Sequence, residues 1–165
     1  MKLIAQIGIV LALFSSASAR GEVEWPPKHT RAWRDFQKLV RAVDQDDVNA
    51  VRAMVQHGTD VDGKKAGDDF APLERPLLRA SRKGNLTIVN ILLKAGADPD
   101  WCCCSCVTAL HEAIRNRHAN IVRRLLAAGS DPEIPYDGEI PTIDLAKKTG
   151  DAEIIELVSK RMKGS

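Results

Sequence analysis

The sequence shows no excess of either charge sign. Its 165 residues include 24 Lys and Arg against 22 Asp and Glu, which gives a formal net charge of +2 at pH 7. A protein that binds polyanions without sequence preference needs a surplus of positive charge. We therefore expect no nucleic-acid partner, and any charged binding surface must come from the local placement of residues. The sequence also has no long low-complexity tract.

Catalytic motifs are missing as well. The chain has no G-x-S-x-G nucleophile elbow, no G-x-x-x-x-G-K-[ST] phosphate loop and no dinucleotide-binding glycine pattern. His111-Glu112 resembles the start of the zinc-protease motif H-E-x-x-H, but Arg115 stands where the second histidine ligand is required. His118 lies seven positions after His111, which is too far for the i, i+4 spacing. We expect no enzymatic activity and no cofactor.

The beginning of the chain has the pattern of a secretory signal. Lys2 is followed by an apolar run over residues 3–14, and then by small residues that end at Ala19. Twelve residues of helix at about 1.5 Å each span about 18 Å, well short of a bilayer core of roughly 30 Å. The pattern therefore predicts cleavage after Ala19 rather than a membrane anchor. Its short basic region favours a bacterial periplasm, and residues 20–30 are predicted to form an extended leader.

A self-match at a spacing of 33 residues dominates the rest of the sequence. Residues 95–98 read A-G-A-D and return as A-G-S-D at 128–131, while an earlier copy around Leu39 and Gly58 is offset by 38 residues. Two landmarks that keep one period indicate stacked supersecondary units. The other landmark covers residues 76–80, 109–113 and 142–146, which read P-L-L-R-A, A-L-H-E-A and T-I-D-L-A.

Apolar residues recur at helical spacing within each unit. In the second copy they are Ile88, Val89, Leu92 and Leu93, which form a stripe on one helix. This face is too broad for one unit to bury, so each unit is expected to stack on its neighbours, and about three or more units are needed for stability. The equivalent positions expected in the core include Val51, Val89, Val122 and Ile155.

These residues resemble the ankyrin repeat. Residues 108–113 read T-A-L-H-E-A, close to the family signature T-P-L-H-x-A, and A-G-A-D at 95–98 matches the family's G-A-D turn. The resemblance implies an all-α solenoid of about four helix–turn–helix repeats with short β-hairpin fingers, in a domain spanning residues 31–165. It also implies a role in binding other proteins. The expected repeats cover residues 31–61, 75–100, 108–133 and 141–163.

Extra length separates the first two copies. Five additional residues fall somewhere between Asp62 and Glu74, a segment that includes Phe70. Insertions in such arrays are usually placed in the loops of one face, often the binding face. The alternative is a tolerated surface loop without a role, because lengthening a loop costs little free energy.

Four cysteines cluster in one predicted finger, at Cys102, Cys103, Cys104 and Cys106. In an exported protein they are expected to form a disulfide, either Cys102–Cys106 or Cys103–Cys106. A thiolate site for a soft metal ion and inert thiols are the alternatives. The spacing lacks the paired C-x₂-C knuckles of zinc sites, so no bound metal is expected.

The resemblance also implies where a partner binds. In the ankyrin arrangement, residues near the end of each first helix line a concave face, and in this chain they form a basic stripe. Basic charge combined with aromatic side chains suits an acidic protein surface, while a solvated helix face without a role is the alternative. The expected contact residues are Arg79, Arg82, Lys83, Arg115, Asn116 and Lys148 on helices, with Phe70, Trp101, Cys104 and Tyr136 on fingers.

Together these features predict a periplasmic or secreted protein-binding module. One specific form is an immunity protein or inhibitor that neutralises a toxin or effector in that compartment. The alternatives are an accessory factor or chaperone for an envelope enzyme, and a metal- or redox-handling protein that uses the cysteines at 102–106.

Overall fold

The computed structural model describes residues 31–64, 75–102 and 106–163. The predicted signal, the leader, and the cysteines at 103 and 104 lie outside these residues, as does Phe70. None of the described helices is both long and apolar enough to cross a membrane. The helices are α1 (Arg31–Asp44), α2 (Val48–Gln56), α3 (Pro76–Lys83), α4 (Leu86–Lys94), α5 (Ala109–Arg115), α6 (Ala119–Ala127), α7 (Thr142–Thr149) and α8 (Ala152–Lys163).

The helices form four antiparallel hairpins stacked side by side. The first helices pack in sequence, α1 on α3, α3 on α5 and α5 on α7, and the second helices form a parallel layer of their own. This arrangement confirms the all-α solenoid. Among the described residues, the finger before α7 closes with a single antiparallel bridge between Tyr136 and Ile140. This finger is therefore shorter than a regular β-hairpin.

The core lies between the two layers, where each hairpin meets its neighbour. Val51, Val89 and Val122 are completely buried, as predicted from their common register. Ile155 is only partly buried, and its neighbour Ile154 is fully buried. The difference arises because, among the described helices, α8 has a neighbouring second helix on one side only, α6.

Short polar side chains cap three of the four second helices, and the exception is α6, which begins after His118 without a side-chain cap. Asp47 accepts a hydrogen bond from the backbone N–H of Ala50 (2.9 Å), and Asn85 accepts one from Ile88 (3.1 Å). Such N-caps satisfy backbone donors that have no partner within the helix. The first and second helices of a hairpin are therefore separated by a sharp, defined turn.

The turn before each second helix requires a left-handed residue. Gly84 and Gly150 occupy this position with φ of 82° and 70°, whereas the third repeat has Arg117 there, with φ of 58°. A side chain with a Cβ is strained in this conformation, and glycine is not. Gly84 has a further role, because the His118 ring lies 2.6 Å from where its Cβ would be.

We expect Arg117→Gly to raise the free energy of unfolding by about 0.5–1 kcal/mol, since relief of strain at positive φ exceeds the entropy gained by the unfolded chain. Urea denaturation would measure the change. Ala128→Gly is the matched control, because Ala128 is also an exposed residue that ends a helix but has φ of −84°. That control is expected to be destabilising, and stabilisation by both changes would contradict the strain at Arg117.

Candidate functional site

The exposed ends of the first helices form one continuous face. Arg82, Arg115 and Lys148 lie one period apart at the ends of α3, α5 and α7. Tyr136 of the last finger adjoins them, because the Arg115 guanidinium lies 5.6 Å from the centre of its ring. We call this surface the inner face. The structure thus brings together four of the residues that the sequence predicted to contact a partner.

A buried carboxylate lies at the centre of the inner face. Glu112 is 2% exposed, and its two oxygens accept from Arg82 Nε (2.9 Å) and Arg115 Nη1 (3.0 Å). Asn116 donates to the Glu112 backbone carbonyl at 2.8 Å. These four residues, which we call the Glu112 cluster, line an open cleft of about 310 Å³. One carboxylate therefore holds two guanidinium groups from neighbouring repeats.

The other predicted cations of the second repeat are paired with the first repeat. Arg79 Nη1 contacts both carboxylate oxygens of Asp44, at 2.8 and 2.9 Å. Lys83 lies 2.7 Å from Asp46 and also donates to the Asp44 backbone carbonyl. The hydrogen bond from Lys83 lowers the pKa of Asp46. The inner face is consequently less basic here than the sequence suggested, because acidic residues of the first repeat neutralise its positive charge.

Lys148 is an exposed cation of the predicted stripe. It lies on α7, and no ion-pair partner is found for it among the described residues. Its neighbour Lys147 lies 3.0 Å from Asp144 on the same helix. The positive charge of the inner face is therefore concentrated at the third and fourth repeats.

His111 links the inner face to the core. The fully buried ring accepts from the Thr108 backbone N–H at Nδ1 (3.0 Å), and its Nε2 lies 3.1 Å from the Ile134 carbonyl and 2.9 Å from the Thr142 hydroxyl. Since Nδ1 is an acceptor, the neutral ring carries its proton on Nε2. Burial lowers the pKa of His111. Tyr136 packs edge-on against this ring, 5.6 Å between centres.

Trp101 is half-buried rather than a projecting anchor. The guanidinium of Arg75 lies 4.2 Å from the centre of the Trp101 ring, close enough for a cation–π contact. Arg75 is itself buried and lies 3.7 Å from the buried carboxylate of Asp62. Asp62 and Arg75 stand at the two ends of the predicted insertion. Trp101 therefore helps to hold the base of that insertion.

The cysteine prediction receives no support from the residues described. Cys106 is a free thiol in this structure, so neither pairing suggested for it is present. Cys103 and Cys104 lie outside the described residues. In the described part of the chain, no group of three or more His, Cys, Asp or Glu side chains is placed to hold a metal ion.

Gly58, Gly63 and Lys64 match the G-x-x-x-x-G-K spacing of a phosphate loop, although Lys65 stands where that motif has Ser or Thr. In the structure the segment follows a helix, whereas a phosphate loop follows a strand. Lys64 lies 3.3 Å from Asp62. These residues therefore form an inter-repeat turn and not a phosphate cradle.

Glu112 was not among the predicted site residues. Its spacing of three from Arg115 indicates contact on one helix face, and this signal could have revealed half of the cluster. The contact with Arg82 joins residues 30 positions apart, and no local pattern predicts it.

Comparison with known proteins gives a consistent result. The family model for ankyrin repeats (three copies) matches residues 39–136 and 77–163. BRCA1-associated RING domain protein 1 of Caenorhabditis elegans is 31% identical over 123 residues, which cover 74% of this chain and 16% of that protein. Ankyrin repeat protein FPV022 of Fowlpox virus (strain NVSL) is 29% identical over 125 residues, which cover 76% of this chain and 20% of that protein.

The chain thus matches a fifth or less of the length of these two relatives. The match begins at residue 39, within α1, and extends to the end of α8. The chain belongs to the ankyrin repeat family.

Proposed function

We propose that this chain is an exported binding module that captures a partner protein on its inner face. Ankyrin repeats are protein-interaction modules, and the proposal identifies the surface that this member uses. The proposed contacts lie at the ends of α3, α5 and α7 and on the finger that carries Tyr136. The described residues offer this face without a metal-binding cluster.

The arrangement of Arg115 is the observation that carries the proposal. Its side chain is 48% exposed, yet Glu112 holds it on one side and the Tyr136 ring lies 5.6 Å away on the other. Arginine and tyrosine are enriched among the residues that dominate binding energy at protein interfaces. A side chain that is ordered before binding loses less conformational entropy when the complex forms.

The charge of the inner face favours a partner with an acidic surface. Arg82 and Arg115 share the carboxylate of Glu112, and Lys148 and Arg117 add exposed positive charge nearby. Complementary charge raises the association rate and discriminates against basic surfaces. Arg79 and Lys83 contribute little to this effect because they are paired with Asp44 and Asp46.

We propose, from the signal pattern of its first nineteen residues, that the protein is exported to the bacterial periplasm. We further propose that it inhibits a toxin or effector there as an immunity protein. A small binding module suits this role, because covering the active surface of a toxin requires contact area and no chemistry of its own.

The proposal is tested by reversing the charge of Arg82, Arg115 and Lys148 together to Glu. The chain is recovered from the periplasmic fraction of an expressing bacterium and used as bait to capture its partner. Its first residue is determined to check cleavage after Ala19. We expect the triple variant to bind its captured partner at least about a hundredfold more weakly, because each reversal replaces an attraction by a repulsion. Calorimetric titration of the purified pair would measure the change.

Arg52, Lys94 and Lys160 provide the matched control. All three are exposed on second helices, so their reversal changes net charge equally on the opposite layer. Circular dichroism would show whether both variants keep their helix content. A second inner-face variant with Gln in place of Glu at the three positions removes the positive charge without placing new negative charge beside Glu112, in case the triple Glu variant misfolds. Unchanged binding by folded inner-face variants, or equal loss from the control, would refute the proposal.

A further inference from the structure

We propose that the cleft of the Glu112 cluster binds a single carboxylate of the partner, with Arg115 as its principal ligand. This inference rests on the proposed function, since it names the group that the inner face recognises. It also assigns Glu112 a role, as the residue that orients the guanidinium and limits the charge of the site.

The cleft has the shape of a subsite between two repeats. Its walls are Arg82 at the end of α3 and Glu112, Arg115 and Asn116 on and after α5. The carboxylate of Glu112 is buried beneath the arginines, which are themselves 40% and 48% exposed. The opening is therefore lined by cationic side chains, with the negative charge at its base.

Arg115 has donors directed away from Glu112. A guanidinium carries five N–H groups in a planar fork, and two on one edge match the two oxygens of a carboxylate. In the described structure, Arg115 donates to Glu112 through Nη1. The remaining donors of Arg115 are thus available for a bidentate pair, while Arg82 adds its charge from the neighbouring repeat.

The buried charge of Glu112 selects the ligand. Its carboxylate accepts from both Arg82 and Arg115 at the base of the cleft. A carboxylate ligand brings one negative charge to the guanidinium of Arg115, whereas a phosphate group near −2 brings additional negative charge close to Glu112, where like charges repel. Glu112 is therefore expected to favour Asp or Glu, or a free carboxyl terminus, over a phosphorylated side chain.

Fixed geometry should make the site more selective than a mobile surface arginine. Glu112 holds one edge of the Arg115 fork at 3.0 Å, and the Tyr136 ring lies 5.6 Å from its centre. Lysine has no planar fork, so it can replace the charge of Arg115 but not the paired hydrogen bonds.

In the test, the full mature chain is titrated with the peptide acetyl-Ala-Ala-Glu-Ala-Ala-amide. NMR records the chemical shifts of the arginine Nε–H and backbone N–H groups during the titration. We expect saturable shifts at Arg115 and Asn116 with millimolar affinity, and none with the peptide that carries Gln. Arg115→Gln should abolish the shifts, and Arg115→Lys should weaken binding at least about fivefold. Lys94→Gln, which removes an exposed cation of α4 outside the inner face, should leave the affinity within twofold.

Several results would overturn the inference. They are equal shifts with the Gln peptide, full binding by Arg115→Lys, and equal weakening by Lys94→Gln, which would indicate non-specific attraction to positive charge. Tighter binding of the same peptide with phosphoserine in place of Glu would also refute it. Glu112→Gln provides a separate readout, because loss of the negative charge should shift selectivity toward the phosphoserine peptide. A purely structural Glu112 would leave the ratio of the two affinities unchanged.

The two proposals can fail separately. Partner capture that depends on the inner face, without peptide binding, would retain the module and remove only the carboxylate subsite. Peptide binding at Arg115, with a partner that is unaffected by the triple reversal, would place the partner's contact on another surface.

Discussion

Replacing Leu92 with Ala is expected to lower the free energy of unfolding by about 3 kcal/mol, within a range of about 2–5 kcal/mol. Leu92 on α4 is completely buried, and α4 packs against α2 on one side and α6 on the other. The truncation would leave a cavity where three repeats meet. Because each repeat is stabilised mainly by its neighbours, the loss should affect the whole array, and urea denaturation followed by circular dichroism would measure it.

Leu93→Ala is the matched control. Leu93 follows directly on α4 but is only partly buried against the core, so its truncation removes less apolar contact. We expect a loss of about 1 kcal/mol, in proportion to the smaller area withdrawn from water. Equal losses of unfolding free energy at the two positions would show that the second helices do not meet at Leu92.

Replacing His111 with Leu is expected to cost about 2–4 kcal/mol, although the two side chains are similar in size. The imidazole is the acceptor for the buried Thr108 N–H and a partner of the Thr142 hydroxyl in the next repeat. Leucine would leave these polar groups without that contact inside the protein. Urea denaturation near pH 7.5 would show the loss.

The same variant should also change the pH dependence of stability. Burial lowers the pKa of His111 below its ordinary value of 6.5, so the unfolded chain binds this proton more readily than the folded chain. The contribution of His111 is therefore complete above about pH 6.5 and falls as the pH decreases, by up to about 1.4 kcal/mol per pH unit until the lowered pKa is reached.

Protonation would occur at Nδ1, where the ring accepts the Thr108 N–H, and would break that hydrogen bond. Between pH 7.5 and 5.5, the free energy of unfolding should therefore fall more steeply with decreasing pH for the natural chain than for His111→Leu. The same dependence on pH in both proteins would mean that His111 is not the titrating group. The comparison between the two proteins removes the contribution of the other acids and bases.

His111 also connects stability with the inner face. Its ring supports Tyr136, and Tyr136 in turn lies beside Arg115. The proposed anchor is therefore positioned by a residue of the core and not by surface contacts alone. A change at His111 should disturb the geometry of Arg115 even where the helices remain folded.

Local sequence predicted the fold because the same environment recurs along the array. Val51, Val89 and Val122 share a register, and in a stack of equivalent hairpins a shared register means an equivalent place in the core. The G-A-D turns and the polar N-caps follow the same logic, since each depends on residues only a few positions apart. Ile155 departs from its equivalents because, among the described helices, α8 packs against one other second helix only, α6.

The sequence by itself determined the four hairpins, their buried stripes and the turns between them, since each of these follows from short-range periodicity. Only the tertiary structure decided which charges of the stripe meet acidic partners. Arg79 and Asp44 are 35 positions apart in the sequence and Arg82 and Glu112 are 30 apart, so neither separation equals the 33-residue period. Whether such a pair forms depends on how far each side chain reaches across the boundary between two repeats. Stacking brings Glu112 beneath two arginines, and this contact turns a row of basic residues into one defined cleft.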